Sequence, residues 1–348
     1  MNENTLSALG WRPHFAGQLI EPGDSSLVIA RVMAVHRGRI EAAAQGGNLF
    51  IDLSPASTNL GITVGDWVLI DRDGPLVKRR LDRFGLFQRR AAGTSGEIQL
   101  IAANVDTLFI VTSANRDFNI ARLERYLTIA HDAGAYPVIV ITRADTVDSV
   151  TEFVAEASRL SPGLLVEALD AREAEQVAVL RRWCETGQTV ALVGSSGVGK
   201  STIINSLAGA HQDTQGVRED DQRGRHTTTG RSMHQLPDGG WLIDTPGMRE
   251  LQLVDVADAI KDVFSDIAEL AVECRFADCT HATEPGCAVL AAIQAGELDA
   301  DRLRRYRKLL SEDRRNTESL ADRRSRDRAL GKFYKSVMSD KRRERGGD

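Results

Sequence analysis

The segment GSSGVGKS, residues 194–201, constrains the fold of this chain more than any other stretch of it. It matches the pattern G-x-x-x-x-G-K-[ST] and stands between the β-branched segment TVALV and the helix-like segment TIINSLAG. Glycines let the backbone N–H groups approach phosphates closely, and the following helix N-terminus adds positive potential. A glycine- and serine-rich turn could match by chance, but the flanking strand and helix favour a phosphate-binding loop.

Polar groups in and after this loop supply the rest of the chemistry of a phosphate site. Lys200 is expected to reach the β- and γ-phosphates of a nucleotide, and the Ser201 hydroxyl is expected to ligate Mg²⁺. Downstream, GGWLIDTPG (residues 239–247) reads as an apolar strand that ends at Asp244, which can hold Mg²⁺ through water. The N–H of Gly247 can then contact the γ-phosphate. DTPG alone is a common turn, but after a phosphate loop it indicates a switch segment.

The polar segment GVREDDQRGRHTTTG, residues 216–230, admits two interpretations. It is either a surface loop or a first switch, ordered by the γ-phosphate and Mg²⁺ through a threonine hydroxyl. All three threonines of HTTT are candidates for that ligand, and we take Thr228 as the predicted one.

Strand-like and helix-like segments alternate from about residue 104 to the phosphate loop. DTLFIVTSA, PVIVI, GLLVEAL and TVALV are predicted strands, and IARLERYLTIAHDAG, VTEFVAEASRL and the stretch 173–184 are predicted helices. This alternation predicts a parallel sheet covered by helices.

The tetrapeptide TRAD, residues 142–145, follows the predicted strand PVIVI. Guanine presents its N1–H and its exocyclic amine side by side, a donor pair that the Asp145 carboxylate can accept and that adenine does not offer. Ligand sites of α/β sheets lie at such strand ends. The alternative is an aspartate that caps the next helix. Thr142 and Arg143 also depart from the asparagine and lysine that are common in base-reading motifs, and arginine is not equivalent to lysine.

The first ninety or so residues show a different pattern. LVIARVMAVHRGRIEAAA and GDWVLID are rich in β-branched residues and are separated by turn signals such as Arg37-Gly38 and Asp73-Gly74. A meander of short strands closes most simply into a small β-barrel. Five strands would suit an OB-fold, but the strand count alone does not separate it from an SH3-like barrel.

Three of the four cysteines cluster with a histidine in CRFADCTHATEPGC. The set Cys274, Cys279, His281 and Cys287 predicts a closed Cys₃His site for structural Zn²⁺, which would fix a loop-rich segment without a core of its own. The alternative is a group of buried cysteines beside a surface histidine. Cys184 lies apart on an amphipathic segment and is predicted to be a core residue.

Composition sets wider limits. The 348 residues carry a net charge of −5 and are 42% hydrophobic, which predicts two or three domains and no overall attraction to nucleic acid. Basic stretches at 78–90 and 302–345 are compatible with RNA contact. For the C-terminal tail a solvated charged helix is the commoner explanation, and the stretch at 78–90 is equally ambiguous. The N-terminus does not resemble a secretory signal, and no apolar run reaches membrane-span length, so we expect a cytoplasmic protein with reduced cysteines.

The order of these motifs resembles one family. A base-reading TRAD before the phosphate loop, then GRHTTT, DTPG and the cysteine cluster, is similar to the circularly permuted GTPases of the RsgA (YjeQ) family. The resemblance extends from the N-terminal barrel to the cysteines. Permutation is physically tolerable because the termini of a compact domain usually lie close together.

The resemblance implies three domains: an OB-fold β-barrel at 1–93, a circularly permuted α/β P-loop GTPase at 94–253 and a mainly helical zinc-binding domain at 254–348. It implies a monomeric GTPase that binds GTP and GDP with Mg²⁺, contacts the small ribosomal subunit and its RNA, and acts in late maturation of that subunit. It also implies that the subunit stimulates hydrolysis. Competing interpretations are a nucleic-acid-binding module with a merely regulatory nucleotide site, and a P-loop kinase or ATPase.

The site residues implied by the motifs form four groups. The predicted GTP-binding residues are Thr142, Arg143, Ala144, Asp145, Ala168, Gly194, Ser195, Ser196, Gly197, Val198, Gly199, Lys200, Ser201, Thr202, Asp244 and Gly247. Ala168, in VEA, would give its backbone N–H to the guanine oxygen. The predicted Mg²⁺ ligands are Ser201, Thr228 and Asp244, and the predicted zinc ligands are the three cysteines and the histidine named above.

Lys200, His226 and Thr228 are the predicted catalytic residues. Met248 follows DTPG at the position where the best-known GTPases carry a glutamine that orients the attacking water, and a thioether cannot do that. His226 is therefore the predicted water-orienting group, the alternative being a histidine that only packs against the phosphate loop. Positioning and charge neutralisation dominate phosphoryl transfer, so Lys200, Mg²⁺ and the loop amides should carry most of the rate enhancement.

Overall fold

The computed structural model describes residues 5–72, 74, 76–90, 98–209, 231–244, 248, 251 and 253–317. Its strands are β1 (Val28–His36), β2 (Arg39–Ala44), β3 (Gly47–Asp52), β4 (Trp67–Ile70), β5 (Val77–Arg80), β6 (Leu86–Arg90), β7 (Ile98–Ala103), β8 (Thr107–Ser113), β9 (Tyr136–Thr142), β10 (Leu165–Ala168), β11 (Thr189–Val193), β12 (Arg231–Gln235) and β13 (Trp241–Asp244). Its helices are α1 (Pro13–Ala16), α2 (Pro55–Thr58), α3 (Ile120–Asp132), α4 (Thr151–Ser158), α5 (Ala174–Val177), α6 (Lys200–Ala208), α7 (Ala257–Val263), α8 (Ser265–Val272), α9 (Ala288–Ala295) and α10 (Ala300–Thr317). Within these ranges, none of the helices combines the length and the apolar character that a membrane crossing requires.

The centre of the molecule is a parallel sheet in the order β10-β9-β8-β11-β13, to which β12 adds in the antiparallel direction. All seven residues of β8 and all five of β11 are buried, as expected for strands covered by helices on both faces. The predicted alternation of strands and helices is confirmed, with one difference. The stretch predicted as one helix at 173–184 is instead the short α5 followed by a 3₁₀ helix, Ala178–Trp183.

The N-terminal strands form an antiparallel unit in the order β3-β2-β1-β4-β5. The long strand β1 pairs with both β2 and β4 and is bent by an irregularity between Val32 and Ala34. Alternate side chains fill an interior cluster that includes Val32, Ile40 and Ile51, because successive residues of a strand face opposite sides. The unit has five of the described strands, the number that would suit an OB-fold, and no pairing between β3 and β5 is seen in the part of the chain that the structure describes.

The N-terminal unit joins the parallel sheet directly. Residues Ala34 and Val35 of β1 pair with Ser232 and Arg231 of β12, so eleven of the strands that the structure describes belong to one sheet. Beside this junction the buried Arg31 guanidinium donates to the Leu9 carbonyl at 2.5 Å, the Thr189 hydroxyl at 2.8 Å and the Asn104 carbonyl at 3.3 Å. Burial lowers the pKa of Arg31 to about 10, so the group stays charged at neutral pH.

The C-terminal helices pack against α3, and we call this contact the C-terminal seam. Glu124 of α3 is fully buried, and its carboxylate pairs with Arg305 at 2.8 Å and Arg302 at 3.3 Å, both on α10. Arg302 also pairs with Asp266 of α8 at 2.5 Å. One apolar core runs through this seam, through the parallel sheet and up to Trp67 of the N-terminal unit.

Candidate nucleotide site and candidate metal centre

The phosphate loop connects β11 to α6 at the carboxyl edge of the parallel sheet. Gly194 lies in the left-handed region at φ 143°, and a Cβ there would come within 2.1 Å of the Val111 carbonyl oxygen, so only glycine fits. Gly199, at φ 96°, precedes the first residue of α6, Lys200. The buried Lys200 ammonium donates to the Gly194 carbonyl at 2.7 Å and to the Ser195 carbonyl. The sequence that predicts a phosphate loop therefore forms the strand, loop and helix that such a loop requires.

TRAD lies beside this loop because β9 and β11 flank β8 in the sheet. The Thr142 hydroxyl donates to the Val198 carbonyl at 2.7 Å and lies 3.0 Å from the carbonyl of Thr112. The next residue, Arg143, has a left-handed backbone at φ 57°, and its guanidinium donates to the Gly197 carbonyl at 2.9 Å. Both residues that depart from the common base-reading pattern thus bind the phosphate loop across more than fifty residues of chain.

Asp145 is partly exposed, and an arginine from the loop that follows β10 holds its carboxylate. Arg172 donates to the Asp145 carboxylate at 2.6 Å and to the Asp170 carboxylate at 2.8 Å. Hydrogen bonds from Arg172 lower the pKa of Asp170, and the same pairing raises the pKa of Arg172. The contact with Arg172 therefore holds the Asp145 carboxylate in place at the carboxyl edge of the sheet.

The residues around Asp145 were not all evident from the sequence. Ala168 ends β10, where it pairs with Ile141 of β9, and the Leu169 N–H bonds to the Ile141 carbonyl at 2.9 Å. The chain reaches Asp145 only beyond this point, through residues 170–172. A Cβ placed on Gly199 would lie 3.7 Å from the Cβ of Ala171. Ala171 is thus a second candidate, besides Ala168, for a backbone contact to a base.

The predicted Mg²⁺ ligands lie on neighbouring elements. Ser201, followed by Thr202, lies in the first turn of α6, and Asp244 is the last residue of β13. Pairing of Ala191 with Ile243 sets Asp244 level with Leu192, one residue before the end of β11, after which the phosphate loop begins. A hydroxyl and a carboxylate are hard oxygen donors, which suit Mg²⁺. His226, Thr228 and Gly247 lie outside the described residues.

A further polar group reaches the phosphate loop from α3, and no local sequence pattern predicts this contact. The Arg122 guanidinium, in the first turn of α3, donates to the side-chain hydroxyl of Ser195. Asn119 caps the helix by accepting the Arg122 backbone N–H at 2.9 Å. The contact joins residues 73 positions apart, a separation at which no motif operates.

The four predicted zinc ligands converge at one point. The ligand atoms of Cys274, Cys279, His281 and Cys287 all lie within 4.8 Å of one another. His281 Nδ1 is 3.7 Å from Cys274 Sγ and 3.4 Å from Cys287 Sγ, and these two sulfurs are 3.8 Å apart. A tetrahedron with Zn–S bonds of about 2.3 Å has edges of about 3.8 Å. The arrangement therefore fits a tetrahedral metal ion with soft ligands.

Hydrogen bonds within the loop that carries these four ligands fix its conformation. The Glu284 carboxylate accepts the Thr280 hydroxyl at 2.5 Å and the backbone N–H groups of Thr280, Ala282 and Thr283 within 2.9 Å. The bond from the Thr280 hydroxyl, followed by backbone N–H bonds, holds the pKa of Glu284 well below the usual range. Cys287 also caps α9 by accepting the Leu290 N–H at 3.5 Å. Cys184, by contrast, is fully buried elsewhere, and burial raises its pKa to about 12, which confirms it as an inert core thiol.

Comparison with known proteins agrees with the motif order and the sheet topology. A sequence model of the family described as RsgA GTPase matches residues 80–254. A small ribosomal subunit biogenesis GTPase, RsgA 2 of Vibrio parahaemolyticus, is 49% identical over 341 residues, which cover 98% of this chain and 94% of the relative.

Two solved structures share the fold. YjeQ from Thermotoga maritima superposes with a TM-score of 0.63 at 24% identity, over 82% of this chain and 98% of that one. YloQ, described as a circularly permuted GTPase, gives a TM-score of 0.59 at 20% identity, over 84% of this chain and 97% of that one. The predicted permutation is therefore confirmed, and the chain belongs to the RsgA family of circularly permuted GTPases, enzymes that hydrolyse GTP.

Proposed function

We propose that this GTPase acts in the biogenesis of the small ribosomal subunit and that the subunit stimulates its GTP hydrolysis. The Vibrio parahaemolyticus relative carries this role in its name and is similar along almost the whole chain. In the proposal, GTP orders the switch segments, the GTP-bound protein docks on the subunit and its RNA, and hydrolysis releases it. The protein acts as a monomer in the cytoplasm, with an OB-fold domain at 1–93, the GTPase domain at 94–253 and the zinc-binding domain at 254–348.

The observation that carries the guanine-nucleotide assignment is the pair of bonds between TRAD and the phosphate loop. Thr142 binds the Val198 carbonyl and Arg143 binds the Gly197 carbonyl, so a base read by Asp145 would sit at a fixed distance from phosphates held by the loop. The stem of Arg143 would cover one face of the base. Ala168 or Ala171 would donate a backbone N–H to the guanine oxygen.

The phosphate chemistry is assigned to groups around the loop. Lys200 and the N–H groups of residues 194–202 would bind the phosphates, and the N–H of Gly247 would bind the γ-phosphate. Ser201, Thr228 and Asp244 would hold Mg²⁺, which offsets phosphate charge when it is bound. Hydrolysis transfers the γ-phosphoryl group to water, and these positive groups stabilise the charge of its transition state.

Orientation of the attacking water is assigned to His226. Met248 cannot serve, because it is only 1% exposed and its side chain packs in the apolar core. A free enzyme with an incomplete site would turn over slowly. A partner that completes such a site can add on the order of 10³- to 10⁵-fold.

The metal of the Cys₃His group is proposed to be structural zinc, because the spacing of its ligand atoms suits a closed tetrahedral site. Metal analysis of freshly purified protein should give one zinc per chain. The Cys279→Ser variant should lose the zinc, whereas Cys184→Ser should keep it. An equal metal content in all three proteins would overturn the assignment.

The principal experiment compares GTP and ATP turnover with and without purified small ribosomal subunits. We expect selective GTP turnover that the subunits raise by several orders of magnitude. An unchanged GTP rate in the presence of subunits would refute the stimulation. GTP binding that responds to RNA without any turnover would instead favour a nucleic-acid-binding module with a regulatory nucleotide site.

The assignment of Asp145 as the residue that reads guanine can be tested by a single substitution. Asp145→Asn replaces the carboxylate acceptor pair by an amide, which should shift preference from GTP to xanthosine triphosphate. Asp148→Asn, an equal loss of charge on a nearby exposed side chain, is the matched control and should leave selectivity unchanged. Equal affinity of the parent protein for GTP and ATP would remove Asp145 from the site.

A further inference from the structure

Arg122 lies where a cation would act on bound phosphates, although none of the predicted motifs includes it. The loop from β8 into α3 leaves the sheet next to the phosphate loop, because β8 and β11 are neighbouring parallel strands. Asn119 caps α3, and Arg122 is the third residue of the helix. Its guanidinium crosses from that helix to Ser195, the second residue of the phosphate loop.

Two cations hold the same residue of the loop through different atoms. The Lys200 ammonium donates to the backbone carbonyl of Ser195, and Arg122 donates to its side-chain hydroxyl. The Arg122 guanidinium also donates to the Asp117 carbonyl at 3.4 Å. Among the described residues, no carboxylate pairs with Arg122, whereas Arg125, one turn further along α3, pairs with Glu312 at 2.5 Å. A guanidinium has five N–H donors, and most of those of Arg122 are not committed to these contacts.

The lysine cannot keep its present bonds when a nucleotide is bound. An ammonium has three N–H donors, and Lys200 commits at least two of them, to the carbonyls of Gly194 and Ser195. To reach both the β- and the γ-phosphate it must give up at least one of these carbonyls. The Arg122 bond to the Ser195 hydroxyl does not compete with the phosphates for the lysine, so it can persist through that exchange.

We propose that Arg122 is a positioning residue for GTP hydrolysis. It holds Ser195, and with it the entrance of the phosphate loop, in place while Lys200 turns to the phosphates, and its guanidinium adds positive potential beside them. The inference rests on the proposed role of Lys200 but not on the ribosomal partner. Phosphoryl transfer depends mainly on position and charge, so a small displacement of the loop slows the chemical step.

The test measures kcat, KM for GTP and the affinity for GDP in five proteins: the parent, Arg122→Ala, Arg122→Lys, Ser195→Ala and the Arg122→Ala/Ser195→Ala double variant. Arg122→Ala should lower kcat by about tenfold to a hundredfold, with GDP affinity changed much less. Arg122→Lys should recover part of the loss, because it keeps the charge without the planar donor geometry. The double variant should be no slower than Arg122→Ala, because both changes remove one interaction.

Arg116→Ala is the matched control. Arg116 is exposed in the same β8 to α3 loop, so this variant removes the same charge while leaving Ser195 and its partners untouched. It should retain the parent kcat, and an equal loss in it would overturn the proposal in favour of a general charge effect. The proposal also fails if losses in the double variant simply multiply, or if GDP affinity falls as far as kcat. Lys200→Ala tests the lysine separately, so the failure of one assignment is distinguishable from failure of the other.

Discussion

The two ends of the chain attach to the GTPase sheet in different ways. The N-terminal unit is joined through backbone hydrogen bonds between β1 and β12, reinforced by the buried Arg31. The C-terminal helices are joined through side chains, above all the buried pairing of Glu124 with Arg302 and Arg305. Backbone pairing fixes one relative orientation, whereas a seam of ion pairs depends on the charge state and exact distance of each partner.

The C-terminal seam is also the one that lies next to the contact between α3 and the phosphate loop. Arg122, Glu124 and Arg125 lie within one turn of this helix; the first binds the phosphate loop and the other two bind α10. Arg125 additionally donates to the Leu251 carbonyl at 3.3 Å, shortly after the DTPG segment. The side-chain seam is therefore the one more directly connected to the nucleotide site.

The largest expected effect on the difference between the two attachments comes from removing Glu124, the buried acid of the C-terminal seam. Glu124→Ala should lower the free energy of unfolding by about 3–5 kcal/mol, because it removes the acid that Arg305 pairs with and leaves the partly buried Arg302 with Asp266 alone. Glu312→Ala, at the more accessible pair with Arg125, should cost only about 0–1 kcal/mol. Urea denaturation of the two variants gives the comparison. Similar losses would mean that burial does not set the strength of this seam.

The N-terminal seam should respond less to the loss of its arginine. Arg31→Met keeps the apolar bulk but leaves the acceptors on Leu9, Asn104 and Thr189 without this donor, which should cost about 1–3 kcal/mol. Because β1 and β12 remain paired, unfolding should still occur in one transition. Arg39→Met, which removes an exposed pair with Asp52, is the control and should change stability by less than about 1 kcal/mol. Two separate transitions in Arg31→Met would show that backbone pairing alone does not hold this seam.

The smallest expected effect is a pH dependence confined to the C-terminal seam. Burial, followed by the nearby Asp255 and Asp313, raises the pKa of Asp132 to about 6 from an ordinary value of 3.8. A raised pKa means that the protonated form favours the fold, so this contribution is complete below about pH 4 and is lost as the pH rises through 6. Asp132→Asn should therefore gain stability relative to the parent at pH 8.

The gain should be under about 1 kcal/mol, because the Asp132 side chain, although surrounded by enough protein to raise its pKa, still reaches solvent, which screens its neighbours. Melting temperatures of parent and variant at pH 4.5 and pH 8 measure it. Asp258→Asn, whose carboxylate pairs with Lys261 at 2.7 Å and is exposed, should show no such gain at high pH. A difference between parent and Asp132→Asn that is the same at both pH values would assign the effect to something other than ionisation.

The sequence predicted those parts of the fold that depend on neighbouring residues. The phosphate loop, the predicted helix at 120–134 and the Cys₃His group each express their chemistry within about fifteen residues, so spacing and residue type suffice. The order of the motifs along the chain carried the family resemblance. The stretch 173–184 was predicted as one helix, and this prediction was wrong. It is instead a single turn of α-helix, α5, followed by a 3₁₀ helix.

What the sequence could not predict are contacts set by strand order. Thr142 and Arg143 looked like weakened base-reading residues, yet both bind the phosphate loop because β8 alone separates β9 from β11. Arg122 and Arg172 reach the site in the same way, from loops that meet only at the carboxyl edge of the folded sheet. The pairing of β1 with β12 likewise joins segments about two hundred residues apart, and no local pattern marks either strand for it.

That pairing has a consequence for any attempt to isolate the catalytic part. β12 is the last strand of the GTPase sheet, and β1 covers its outer edge. A fragment that began after residue 98 would leave the N–H and C=O groups of β12 open to other chains, together with the apolar surface that faces Met33 and Trp67. The N-terminal strands therefore act as a cap that keeps the sheet from pairing with another copy of itself.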